Sequence, residues 1–189
     1  MCTINKFIAN FLLLTLIFIN QLLAKENSAA IFLYHRFEEN KYPSTNIRIS
    51  QFKEHIEELK KNNYNVISID EIINALIYKK DLPEKTVGLT IDDAFLSIYK
   101  EAWPILKKNK LPFTLFVSTE SVTTKSRNYM NWNHIREMVN SGVSIGHHTK
   151  NHLHLTNSSK KNVINEIEEA SDDFLKNLGF VPDIFAYPY

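Results

Sequence analysis

Residues 86–94 read Thr86-Val87-Gly88-Leu89-Thr90-Ile91-Asp92-Asp93-Ala94. The first six are mostly apolar and rich in β-branched side chains, and they run straight into two adjacent carboxylates. Such a run without alternation reads as a strand covered on both faces, the pattern of a parallel sheet. Two carboxylates leaving a buried strand are costly unless each has a cation or a task. In extended backbone their side chains point to opposite faces, whereas at a strand-to-loop bend they can share one site. One could then hold a metal while the other accepts a proton. A turn or helix N-cap signal is the other reading of the pair taken alone.

Outward from this stretch, strand-like runs alternate with amphipathic ones. Ala29–Tyr34 reads as a buried strand. Residues 51–62 read as a helix capped by Ser50, with Phe52, Ile56 and Leu59 on one face at spacings of four and three. Tyr64 to Ile69 is a short predicted strand, and Asp70 is read as the cap of the helix that follows. Leu96 to Asn109 is a predicted helix kinked or split at Pro104. Pro112 to Ser118 is another buried strand. A helix over Trp132 to Asn140 stops at Ser141-Gly142. A strand follows over Val143 to Gly146, then a helix capped by Ser158 or Ser159 and closed by Gly179. A last strand spans Asp183 to Tyr187. Strand and helix in alternation predict an α/β fold with a parallel sheet, whose ligands gather at the C-terminal strand ends.

At one such end lies Ser144-Ile145-Gly146-His147-His148-Thr149-Lys150-Asn151-His152-Leu153-His154-Leu155. His148 and His152 are four apart, so a helical or turn-like segment puts both on one face. Two imidazoles and one carboxylate make a three-ligand site with a position open to water, as catalytic zinc requires. His147 and His154 do not share that face with both. His35, His55, His134 and His154 read as ordinary core or surface residues. Trp132 and Tyr187 are candidates to stack on a sugar ring, or else core.

Composition bounds the rest. The 189 residues suffice for one domain with a sizeable core. Lys and Arg number 22 against 21 Asp and Glu, which gives no reason to expect nucleic-acid binding. Residues 1–24 carry the layout of a signal peptide: a polar start, an apolar run from Phe7, and Ala24 before the chain turns polar. Secretion or export to the periplasm is therefore expected, with an N-terminal membrane anchor as the alternative. Asn10 and Asn20 interrupt the run and disfavour a spanning helix. The only cysteine, Cys2, lies within this leader, so any metal site must use His and carboxylates.

With these motifs in this order, the chain resembles the polysaccharide deacetylases, the NodB-homology domain of carbohydrate esterase family four. That family's T-F-D-D-G motif corresponds to Thr90-Ile91-Asp92-Asp93-Ala94. Its H-[S/T]-x-x-H motif corresponds to His148-Thr149-Lys150-Asn151-His152, and its R-x-P-Y motif to Ala186-Tyr187-Pro188-Tyr189. Tyr34-His35-Arg36-Phe37 and Tyr42-Pro43-Ser44-Thr45 look like the subgroup acting on poly-β-1,6-N-acetylglucosamine. The resemblance implies an incomplete (β/α) barrel, divided as a leader (1–24), an N-terminal βα segment (25–85) and the core (86–189). It implies a metal-dependent hydrolase that removes N-acetyl groups from an acetylated glycan. Asp93, His148 and His152 would bind Zn2+, or another divalent ion such as Co2+. Asp92 would be the general base, and the backbone N–H of Tyr189 an oxyanion donor. Ala94 stands where the motif has glycine, and Ala186 where it has arginine. The family's later motifs, including the Leu-x-x-His that supplies a general-acid histidine, are not in these residues, and no His follows His154. The alternative expectation is therefore an inactive remnant or split-gene fragment, for which a partner fragment could complete the barrel. No nucleic acid and no stable membrane span after signal cleavage are expected.

Overall fold

The computed structural model describes residues 27–124 and 126–189; the leader read at 1–24 lies outside them. The described chain opens with strand β1 (Ala29–Tyr34). Two-residue strands β2 (Arg36–Phe37) and β3 (Asn46–Ile47) pair as a small separate ribbon. Helix α1 (Ile49–Lys61), strand β4 (Asn65–Val66) and helix α2 (Ile69–Ile77) lead to β5 (Thr86–Asp92). A π-helical turn, Ile98–Ala102, runs into α3 (Trp103–Asn109). Then come β6 (Thr114–Val117), α4 (Thr119–Thr123), α5 (Trp132–Asn140), β7 (Ser144–His147) and α6 (Lys160–Leu178).

The sheet is parallel, in the order β1-β5-β6-β7, with β4 pairing the first two residues of β5. Every residue of β5 is buried, as an unalternating run demands. All strands end on one side, where Asp92 and His147 are the last residues of β5 and β7. Against one part of the sheet, Phe52 of α1 meets Tyr34 and Phe37 edge-on, at ring distances of 5.2 and 4.9 Å. Ile56 and Leu59 extend the same buried face of α1, at the spacings read from the sequence. Among the described residues no helix is long and apolar enough to cross a membrane.

Several local expectations need correction. β1 is not buried: Ile31 is 48% and Leu33 54% exposed, because β1 pairs β5 on one side only. The sheet is accordingly open there among the described residues. The N-cap of α1 is Arg48, and Ser50 lies inside the first turn. The N-cap of α2 is Ser68, not Asp70. Its hydroxyl accepts from the Glu71 N–H at 3.2 Å while the Glu71 carboxylate accepts from the Ser68 N–H at 3.0 Å. This reciprocal pair satisfies two orphan donors at once, which Asp70 could not do. The helix read over Leu96 to Asn109 is present and unbroken, and Pro104 is accommodated by a π-helical stretch, Ile98–Ala102, just before it rather than by a break. The last predicted strand is reduced to one bridge, Phe185 with His147. Pro188 has no N–H with which to extend that ladder.

Candidate metal and catalytic site

Asp92 still belongs to β5, and the chain bends immediately after it. Asp93 and Ala94 adopt φ of 72° and 56°, left-handed values that swing the Asp93 side chain onto the same cavity as Asp92. The bend is what lets adjacent carboxylates share a site. At Ala94, where a glycine would carry no penalty, the left-handed conformation costs on the order of 1 kcal/mol. The Ala94 methyl is fully buried, which returns about 0.8 kcal/mol. Ala94→Gly is therefore expected to change unfolding free energy by less than about 1 kcal/mol in urea titrations.

Asp92 is buried and its Oδ1 has no hydrogen-bond partner among the described residues. Burial first, and then the charge of Asp93, push its carboxyl up to about 7. A carboxylate held this way is a far better proton acceptor near neutral pH than an ordinary Asp.

Of the two routes expected for the histidines, helical or turn-like, the chain takes the turn. Gly146 of β7 faces the Phe116 ring, which a Cβ would meet at 2.2 Å, so only glycine lets these two strands lie in register here. His148 continues the ladder one residue beyond β7, its N–H donating to the Val117 carbonyl at 3.2 Å. The segment to His152 is not helical. It turns through left-handed Thr149 (φ 64°) and His152 (φ 56°), and these two residues bring the imidazoles together, with rings 4.9 Å apart. Glu166 of α6 ties this loop down. Its carboxylate accepts from the Lys150 and Asn151 backbone N–H groups at 3.2 and 2.8 Å and from the Asn151 amide at 2.7 Å.

His148 donates from Nδ1 to the Ala186 carbonyl at 2.9 Å. That bond fixes the tautomer and leaves the Nε2 lone pair facing the carboxylates, 3.6 Å from Asp93 Oδ1 and 4.0 Å from Asp92 Oδ2. His152 Nε2 lies 3.2 Å from the same Asp93 oxygen. Burial holds the His148 imidazole below its ordinary pKa, which favours the neutral form that a metal needs. One ligand atom from each of Asp93, His148 and His152 lies within 4.8 Å of the others. Two nitrogens and one carboxylate oxygen, facing an open cavity of about 640 Å³, fit a tetrahedral cation with one position left for water.

The remaining histidines separate cleanly. His147 is buried, its Nδ1 accepting from the Thr149 N–H at 3.1 Å and its Nε2 donating to the Ile167 carbonyl at 3.2 Å. It has no free nitrogen for a ligand. His154 is exposed and stacks on Tyr189. His55 bonds the Tyr34 hydroxyl and His134 the Asn131 N–H. His35, read as ordinary from the sequence, lines the cavity instead, its pKa lowered by burial and raised in part by Asp93. Glu166 was equally hidden: one carboxylate on an amphipathic helix gives no sign that it will be buried. Trp132 is away from the site, buried against Phe174 and donating from Nε1 to Thr123. Tyr187 and Tyr189 are exposed and line the cavity.

A sequence model of the family described as polysaccharide deacetylase matches residues 79–189, more than half of the chain. The chain belongs to the polysaccharide deacetylase family. It is 27% identical to the poly-beta-1,6-N-acetyl-D-glucosamine N-deacetylase of Staphylococcus aureus, over 87% of this chain and 66% of that one. Its structure is similar to that of Streptococcus pyogenes deacetylase PplD in complex with acetate, with a TM-score of 0.77 at 27% identity, covering 85% of this chain and 73% of that one. IcaB from Ammonifex degensii gives a TM-score of 0.76 at 28% identity, covering 86% and 75%. The chain spans 55% to 66% of the length of curated relatives that it matches.

Proposed function

We propose that this chain is a metal-dependent N-deacetylase acting on a glycan of N-acetylhexosamine units, with zinc in its site and Co2+ as a working substitute. The observation that carries the reading is the convergence of Asp93, His148 and His152 beside an unpartnered, buried Asp92 oxygen in an open cavity. When bound there, a divalent cation supplies Lewis acidity, polarising the amide carbonyl and acidifying water. The chain's own groups supply the rest. Asp92 accepts the proton of the attacking water. The departing amine needs a proton, and Asp92 then holds the one to return. The Tyr189 backbone N–H is the proposed donor to the developing oxyanion. Exposed Tyr187 offers a ring on which a sugar can stack. Residues 25–85 and 86–189 act as parts of one catalytic domain, since β1 pairs with β5 along its whole length. Export to the periplasm or cell exterior, directed by residues 1–24, suits a polymeric glycan substrate. The inactive-remnant alternative draws no support from the site, where base and ligands converge.

Incubation with zinc and poly-N-acetylglucosamine oligomers is expected to remove acetyl groups, read by mass spectrometry, and chelation to stop it. Oligomers left fully acetylated under both conditions would refute the reading. Asp92 works as the ionised form, so kcat/KM rises with pH through its titration. The metal-free value is about 7, and a cation nearby lowers it. The acidic limb of the zinc enzyme should therefore fall below pH 7. The Asp92 contribution to the stability of the metal-free chain runs the other way. The folded state holds the Asp92 proton more tightly than the unfolded state, so the melting temperature of the parent should fall relative to that of Asp92→Asn as pH rises from about 4 to about 7.

A further inference from the structure

Arg36 is a cation that the proposed chemistry leaves unused, although it lines the same cavity as Asp92 and Asp93. Its guanidinium carbon lies over two aromatic rings, 3.4 Å from the centroid of Phe95 and 4.0 Å from that of Tyr42. Its Nη1 donates to Glu39 Oε2 at 2.7 Å. The other Glu39 oxygen is engaged too, accepting from the Ser97 hydroxyl at 2.6 Å, and the Glu39 N–H donates to Asn46 Oδ1 at 2.7 Å. Backbone bonds hold the strand beneath. The Arg36 N–H donates to the Thr45 carbonyl at 3.0 Å, and the Glu38 N–H to the Ile47 carbonyl at 3.1 Å. Pinning a long arginine side chain removes much rotamer freedom. In this fold that ordering is complete before any ligand arrives, which favours binding.

A guanidinium carries five N–H donors, and among the described residues the bond to Glu39 is the one side-chain hydrogen bond that Arg36 makes. The other donors are held at the wall of a cavity. That wall continues as an aromatic surface, since the Phe95 ring packs on Tyr129 at 4.8 Å and both line the cavity. Arg36 also stands apart from the reacting groups. Its charge lowers the pKa of His35, whereas the charge that acts on Asp92 is that of Asp93. The cavity of about 640 Å³ falls in the range that encloses a drug-sized ligand, more than one hexosamine ring fills. A second sugar unit therefore has room beside the one at the metal site. The group that suits Arg36 is a neutral oxygen acceptor. Glu39 already balances its charge, and an anionic substituent in this cavity would also meet Asp92 and Asp93. A hydroxyl or N-acetyl carbonyl accepts from the guanidinium without that repulsion.

We propose that Arg36 determines specificity: it donates to an oxygen of the neutral sugar unit adjoining the one that loses its acetyl group, and so selects an oligomeric glycan over a single sugar. The proposal deepens the deacetylase reading and rests on it. It is tested on the zinc-loaded full chain carrying Asp92→Asn, which holds the glycan without consuming it. Adding Arg36→Lys keeps a charge beside Glu39 but loses the planar, stacked donors. By calorimetry, this variant should bind a poly-N-acetylglucosamine pentamer about tenfold or more weakly. Its binding of free N-acetylglucosamine, followed by ligand-detected NMR, should be unchanged, and its zinc affinity should stay within a few-fold. Arg36→Met/Glu39→Gln, which leaves no charge unpaired, should behave alike. With Asp92 restored, Arg36→Lys should raise KM for the pentamer and leave kcat nearly unchanged. Three results would each overturn the proposal while the deacetylase reading stands. One is equal pentamer affinity with and without Arg36. Another is an equal loss for free N-acetylglucosamine, which would put Arg36 on the reacting unit. The third is zinc affinity falling in step with pentamer affinity, which would make the residue a brace for the metal site. An Asp92→Asn chain that binds no pentamer at all would instead refute the deacetylase reading, and the proposal with it.

Discussion

Asp92→Asn is expected to lower the deacetylation rate by about 10²- to 10⁴-fold, the range that a positioned general base contributes. The substitution keeps the shape and removes the ability to accept a proton. Asp92 is not one of the three converging ligands, so zinc affinity should change by only a few-fold. The unpaired Asp92 oxygen is buried beside Asp93, and a neutral amide relieves both burdens on the folded chain. The metal-free variant should therefore melt no lower than the parent at neutral pH. Loss of rate with unchanged zinc binding and undiminished stability separates a catalytic role from a structural one. Full activity in the variant would remove Asp92 from the chemistry.

Phe174→Ala is expected to destabilise the chain by about 3–5 kcal/mol in urea titrations, the cost of a large cavity in a closed core. Phe174 is 0% exposed and is the main anchor of α6. Its ring meets Trp132 of α5 edge-on at 5.8 Å and lies 5.4 Å from His147 at the end of β7. The same helix carries Glu166, which fixes the backbone of Lys150 and Asn151 between the two candidate ligands. Loosening α6 should thus weaken zinc binding as well as folding, although Phe174 touches no ligand. A loss under about 1 kcal/mol would mean that α6 adds little to the core.

How far the sequence revealed this site depends on the residue. The run 86–91 announces a buried parallel strand because both faces are covered and nothing alternates. The paired carboxylates and the His148–His152 pair announce metal chemistry because few other roles justify those residue types at strand ends. The way they meet was hidden. Left-handed backbone at Asp93, Ala94, Thr149 and His152 has no sequence signature when none of the four is glycine. Caps were misplaced at Ser50 and Asp70 because neighbouring residues compete for one role, and Ser68 wins through its exchange with Glu71. His35 was misread for a similar reason, and Trp132 took the core place that was one of its two readings. Whether an isolated histidine or tryptophan faces a cavity or a core depends on packing between elements distant in the chain. β1 reads like a core strand, yet its exposure follows from pairing on one side only, which no local pattern encodes.

The most direct test of the proposed metal site is a zinc titration of the purified chain by calorimetry, beside the His148→Ala/His152→Ala variant. Three converging ligands predict one zinc bound per parent chain and none held at that affinity by the variant. Binding of equal stoichiometry and affinity by both proteins, or none by a folded parent, would contradict it.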